Sequence, residues 1–492
     1  MDNAREYLFA QPFAEKASHL DNFSRIDRQV SEWVDAHRDE IIATTQGILR
    51  IPSVEGEPAP GAPFGAKTRR ALDFALDVAA RHGLTTKNLD GYAAHAEWAA
   101  SGVAADAPIV GALAHVDVVP EGGGWSHPPF GAEIADGKIY ARGAIDDKGP
   151  AMAALWAILA VKGCDVPLSL RLRLILGANE ESGFECVKHY FAREEMPATG
   201  FTPDAMFPLV YAEKGIANAV LTAPALPEGE RLSLVSLTGG QRPNMVPDEA
   251  HAVLASSAPW AAVVARLNAV VGVTTREKDN GRLEVTAKGV SAHGSTPENG
   301  VNAVAVLCDA LLLLDHHENQ VEVIERIQAW ADDTTGAKLG IAGRDDIAGP
   351  LTCNLGVAAL AEGRVTLTFN VRYPVTWDAA RLRGLLEQNI AGSGWALESL
   401  TDQPPLYVPQ DDPLVATLLG VYRAETGDQS APLTMGGGTY ARAMTKGVAF
   451  GPDFPGRAAG DGGAHEKDEC WPVAHLIRAT KIYARALARL GA

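Results

Sequence analysis

Two short apolar runs that stop at ionisable side chains constrain this chain more than any other feature. Ile109–Ala114 (IVGALA) leads into His115, Val116 and Asp117, and Leu168–Leu176 (LSLRLRLIL) ends just short of Asn179, Glu180 and Glu181. Apolar runs of this length, bounded by polar residues, read as buried strands of a sheet covered by helices. Gly143–Pro150 reads as a loop, and Pro150 suits the first turn of a helix through AMAALWAILAV. Pro208–Ala212 reads as a further strand, shortly after Asp204. Polar candidates thus fall repeatedly just past strand C-termini, where open α/β sheets form sites.

The chain's 492 residues exceed one compact core, so two domains, or one domain carrying a large insertion, are expected. After Lys214 the pattern changes to strands and helices broken by TAPALPEGE and TGGQRPN turns. Thr366–Arg372 alternates, with Leu367, Phe369 and Val371 on one face. From about Asp411, helices and glycine loops resume, and a helix closes the chain. The expected fold is α/β: a mixed sheet flanked by helices, from about 1–213 and 405–492, split by an inserted α+β domain at about 214–404.

A formal net charge of -18 repels nucleic acid and anionic membrane, so neither is an expected partner. The N-terminal MDNAREYLFAQPFAEKASHLDN lacks an apolar core and does not read as a signal peptide. Ala151–Val161 is too short to cross a bilayer. Five scattered cysteines without CxxC spacing point to reduced thiols in a cytoplasmic protein, and leave any metal to His and carboxylates.

Several candidates carry chemistry, each with a plainer explanation beside it. Asp117 lies two residues beyond His115, so on a strand it can hydrogen-bond the second ring nitrogen and fix the tautomer of a metal-binding imidazole; taken alone, an exposed HxD loop explains the pair better. Asp146 precedes a helix and could bridge metals or cap the helix. Glu180 and Glu181 repel one another unless a cation intervenes; a surface acidic pair is the alternative. With metal present, Glu181 would bind and Glu180 would handle protons. Asp204 could be a turn residue, and His465 a solvated loop residue.

In order along the chain, HVDVVPEGGGW, YARGAIDDKGP, NEES, GFTPDAMFP and AHEKDE resemble motifs of the zinc dipeptidase, aminoacylase and glutamate carboxypeptidase superfamily, and most of all its bacterial peptidase V type. GGQRPNMVPD, KGVSAHGSTPENG, NVRYP, GGGTYAR and FGPDFPG extend the resemblance over about Ile51–Glu469. The resemblance implies two Zn2+ per chain, with Mn2+ or Co2+ as substitutes. Asp146 would bridge them, His115 and Asp204 completing one site, Glu181 and His465 the other. It implies a bridging hydroxide as nucleophile and Glu180 as the base that later protonates the leaving amine. His293 would stabilise the oxyanion, Arg372 would clamp the substrate carboxylate, and Asn244, Gly437 and Thr439 would assist at that end. Asp204, rather than Glu, goes with the dipeptidase branch.

The function so implied is hydrolysis of dipeptides with free amino and carboxyl termini, by a monomer whose large inserted domain acts as a lid. An N-acyl-amino-acid deacylase is the nearest rival, and a non-catalytic metal- or peptide-binding module is a rival of another class. The latter should have lost Glu180 or a ligand, and all six residues are here.

Overall fold

The computed structural model describes residues 13–224, 232–278, 281–315, 318–361, 363–458 and 460–492. The first twelve residues of the N-terminal stretch, much of the TAPALPEGE turn and one residue of the late glycine loop lie outside the described residues. The chain divides into two compact units: Met1–Tyr211 with Val408–Leu433 and Thr439–Ala492, and Ala212–Tyr407 with Thr434–Gly438.

A mixed sheet organises the first unit. Its strands lie in the order Thr85–Leu89, Ala93–Trp98, Arg171–Gly177, Ile109–His115, Thr199–Thr202, Gly447–Ala449 and Val210–Glu213. Ile109–His115 runs parallel to Arg171–Gly177, with His115 opposite Gly177, and parallel to Thr199–Thr202, with Ala112 opposite Phe201. Parallel neighbours put their C-terminal ends on one edge. His115, the residues after Gly177 and the residues after Thr202 therefore emerge side by side.

Ile109–His115 and Arg171–Gly177 are buried throughout. The second strand starts later than the apolar run suggests, because the N–H groups of Ser169 and Leu170 bond to the Gly491 carbonyl instead. Its two arginines are buried with partners: Arg173 Nε donates to Glu97 Oε2 at 2.6 Å and Nη1 to the Tyr190 hydroxyl at 3.2 Å. Val210–Glu213 likewise begins two residues after Pro208, which has no N–H to offer a ladder.

The Lys148–Gly163 helix is buried from Lys148 to Val161 and packs on Val473–Leu490 and Arg38–Leu49. Among the described residues, no helix is long and apolar enough to cross a membrane. The five cysteines form no disulfide.

The second unit holds an antiparallel sheet, in the order Val273–Glu277, Leu283–Lys288, Glu249–Ser256, Leu232–Gly239, Thr352–Ala361, Arg364–Tyr373, Gly215–Ala223 and Ala396–Gln403. Ala303–Leu311 packs on Glu318–Asp332 and on the sheet. Leu367, Phe369 and Val371 enter this core with Leu221, Leu355 and Trp330. On the other face of the same strand Asn370 and Arg372 are also buried, and there Arg372 Nε donates to Asn370 Oδ1 at 2.8 Å.

Candidate metal centre

His115 ends its strand with its side chain buried, and its Nε2 lies 3.0 Å from Asp146 Oδ1 and 3.8 Å from Asp204 Oδ2. The other Asp146 oxygen, Oδ2, lies 3.0 Å from His465 Nε2, which is also 3.1 Å from Glu181 Oε2. Asp146 thus stands between two imidazoles, one oxygen toward each. His115, Glu180 and Asp204 offer ligand atoms within 4.8 Å of one another, as do His115, Asp146 and Glu181. His465 itself is at φ 65, in the left-handed region that costs a non-glycine residue about 1 kcal/mol or more.

The groups around this cluster hold it differently from the sequence expectation. His115 Nδ1 meets the Asp117 main-chain oxygen at 2.9 Å, with the Asp117 carboxylate farther off at 3.5 Å. That carboxylate also accepts the N–H groups of Glu180 and Glu181, both at 3.1 Å. A two-residue offset on a regular strand does not apply, because the strand stops at His115. Asp147, not Asp146, takes the position before the helix, and its side chain does not cap it. Asp147 Oδ2 accepts the His115 N–H at 3.1 Å, tying the strand end to the start of the Lys148–Gly163 helix. Gly177 leaves room for Tyr440 at the strand end: a Cβ there would sit 2.1 Å from the phenol oxygen.

Glu469 closes the AHEKDE motif, but the sequence assigns it no role. It is wholly buried, pairs with Arg142 at 2.6 Å, and accepts main-chain N–H groups from Gly143, Ile145 and Asp146. Its sequence signals are its place at the end of AHEKDE and immediately before the apolar Cys470–Pro472 strand.

Asp117, Thr439 and the six cluster residues belong to the first unit; Asn244, His293, Arg372 and Gly437 belong to the second. Thr439 is buried, and its hydroxyl accepts the Ala441 N–H at 3.2 Å, capping the Tyr440–Ala443 turn. In the second unit, Met245 bridges His293 and the Gly294 N–H reaches the Asn244 carbonyl at 2.7 Å, so the exposed His293 and Asn244 lie together. His293 Nδ1 is 2.6 Å from the Ser295 hydroxyl. Arg372 Nη1 donates to the Gly436 carbonyl at 3.0 Å, next to Gly437.

Electrostatics shows what the cluster lacks. Burial, then repulsion from neighbouring carboxylates, pushes Glu180, Glu181 and Asp204 above the usual carboxylate range. Burial acts the same way on Asp146, yet hydrogen bonds from His115 and His465 win and hold it far below. Burial would lower His465, but Asp146 and Glu181 carry it up to about 11. Among the described residues, no Lys or Arg pairs with Asp146, Glu180, Glu181 or Asp204. Four carboxylates and two imidazoles converging with no Lys or Arg paired to them are a donor set suited to divalent metal.

The chain is a metal-dependent peptidase by its family: it belongs to Peptidase family M20/M25/M40, whose pattern matches residues 111–489. Among particular proteins, it is 43% identical over 465 residues to a Bacillus subtilis (strain 168) protein provisionally named dipeptidase YtjP, covering 92% of this chain and 97% of that one. It is 36% identical over 469 residues to a provisionally named dipeptidase of Staphylococcus aureus (strain MW2), covering 93% and 98%. In fold it resembles human carnosine dipeptidase 1 (TM-score 0.54, 16% identity, 95% and 99% covered) and the di-peptidase Dug1p of Saccharomyces cerevisiae (TM-score 0.55, 14% identity, 94% and 98% covered).

Proposed function

We propose that this protein is a metal-dependent dipeptidase, hydrolysing dipeptides whose amino and carboxyl termini are free. The observation that carries this is the Asp146 carboxylate, one oxygen facing His115 and the other His465. His115, Asp146 and Asp204 would hold one ion, and Asp146, Glu181 and His465 a second. Zinc suits this mixture of imidazole and carboxylate, and manganese or cobalt also fits. Such ions, when bound, acidify water and polarise an amide carbonyl.

The chain's own groups do the rest. Glu180 is tethered through its main chain to Asp117, and no ion pair engages its carboxylate among the described residues. It takes the proton of the attacking water and delivers it to the leaving amine. His293 donates to the carbonyl oxygen as negative charge develops there. Arg372, with Asn244 and the Gly437–Thr439 loop, receives the substrate carboxylate. The protein works as a monomer in the cytoplasm, with zinc as its metal.

The test is an assay of metal-stripped protein, reconstituted with zinc, manganese or cobalt, on a dipeptide panel beside N-acetyl and N-succinyl amino acids. Turnover confined to dipeptides supports the reading. Turnover confined to the N-acyl compounds would make it a deacylase, and none at all would leave a binding module.

A further inference from the structure

Glu469 lies four residues past His465, immediately before a strand that pairs with Lys138–Tyr140. One carboxylate oxygen, Oε1, gathers three main-chain N–H groups: Gly143 and Ile145 at 3.0 Å and Asp146 at 3.2 Å. The other, Oε2, receives Arg142 Nη1 at 2.6 Å. The second guanidinium nitrogen of Arg142, Nη2, donates to the carbonyl of His465 at 3.2 Å and to that of Glu121 at 3.4 Å. Both side chains are almost wholly removed from solvent.

One ion pair therefore grips the backbone of two loops at once. The carboxylate folds 143–146 around itself, and the guanidinium holds the carbonyl of His465, whose backbone is left-handed. These loops have little regular structure of their own, so their shape depends on such bonds. Removing one partner of a buried, hydrogen-bonded pair strands the other charge away from water. Apolar side chains in this space would leave the N–H groups of Gly143, Ile145 and Asp146 without acceptors.

We propose that Glu469 and Arg142 are positioning residues: they fix the Asp146 carboxylate against the His465 imidazole at metal-binding separation, and so set how tightly divalent ions are held. The inference rests on the reading of Asp146 and His465 as ligands, and deepens it. Glu469 and Arg142 touch neither ion nor substrate in this scheme; they act through the two loops.

The test compares the parent with Glu469→Gln, Arg142→Lys and Asp146→Asn. Zinc affinity is read by competition with a chelator, and the visible absorption of the cobalt-substituted protein reports ligand geometry. Glu469→Gln and Arg142→Lys should bind zinc about 10- to 100-fold more weakly and shift the cobalt band, while the metal-free protein stays folded by circular dichroism. If Glu469→Gln does not fold, Arg142→Lys, which keeps the charge and loses the fork, carries the same readings. Parent affinity and a parent cobalt band in a folded variant would overturn the inference. Parent metal binding by Asp146→Asn would instead overturn the ligand reading beneath it.

Discussion

The Asp117 carboxylate accepts the Glu180 N–H at 3.1 Å, and its second oxygen accepts the Glu181 N–H at the same distance. One buried side chain thereby sets the direction of two adjacent carboxylates, one read as a ligand and one as the proton carrier. Asp117→Asn keeps the shape but turns an N–H2 toward one of those donors. We expect kcat to fall about 10- to 100-fold, since one buried N–H left unmet costs about 1–3 kcal/mol. Steady-state kinetics beside metal analysis checks this, and an unchanged kcat would contradict it.

Crowded carboxylates make the metal-free protein less stable than the loaded one. Zinc at about 100 times its Kd should stabilise the fold by about 2.7 kcal/mol, by mass action alone. Asp204, raised by burial and by repulsion from Asp146, adds to the crowding. Asp204→Asn should therefore raise the melting temperature of the metal-free form and lower that of the zinc-loaded form. Calorimetry of both forms decides, and shifts of the same sign would contradict the account.

Arg372 is held by Asn370 and by the Gly436 carbonyl. If it receives the substrate carboxylate, Arg372→Met should cut kcat/KM for free dipeptides about 10- to 100-fold, the size of a lost charge-assisted bond. Dipeptide amides, which lack that carboxylate, should change little. An equal loss on both substrates would count against the assignment.

His95, away from the metal centre, gives a pH signature. Burial first, then the charge of Arg173, lowers its pKa from 6.5 to about 4, and its ring meets the Tyr190 hydroxyl at 2.9 Å. The unfolded chain binds the proton more readily, so the contribution of neutral His95 is present above pH 6.5 and is lost as pH falls toward 4. Between pH 7 and pH 5 that amounts to at most about 2 kcal/mol. The urea midpoint of the parent should fall more over this interval than that of His95→Gln; equal falls would contradict it.

What was legible in the sequence follows from what burial imposes on it. Ile109–His115 had to be apolar to lie inside a sheet, so its end, and the ligand there, could be found. The parallel register that sets His115 beside the ends of Arg171–Gly177 and Thr199–Thr202 is a non-local pairing, and no local pattern records it. The ordered motifs supplied what spacing could not. Glu469 escaped because a glutamate in HEKDE looks like a solvated charge, and its burial depends on Arg142, 327 residues earlier. Asp117 was legible only as a neighbour of His115; its bonds to the Glu180 and Glu181 N–H groups join positions 63 and 64 residues apart, which no local pattern records. Thr434–Gly438 clusters with the second unit although it lies beyond residue 405, because Lys214 bonds to Met435 and Arg372 to Gly436.

The central claim is that this cluster hydrolyses a dipeptide bond with Glu180 moving the proton. Glu180→Gln, loaded with zinc and assayed on an Ala-Ala type dipeptide, tests it most directly. Turnover should drop by about 100-fold or more, with zinc content equal to that of the parent. Turnover near the parent's, at equal zinc content, would contradict the account.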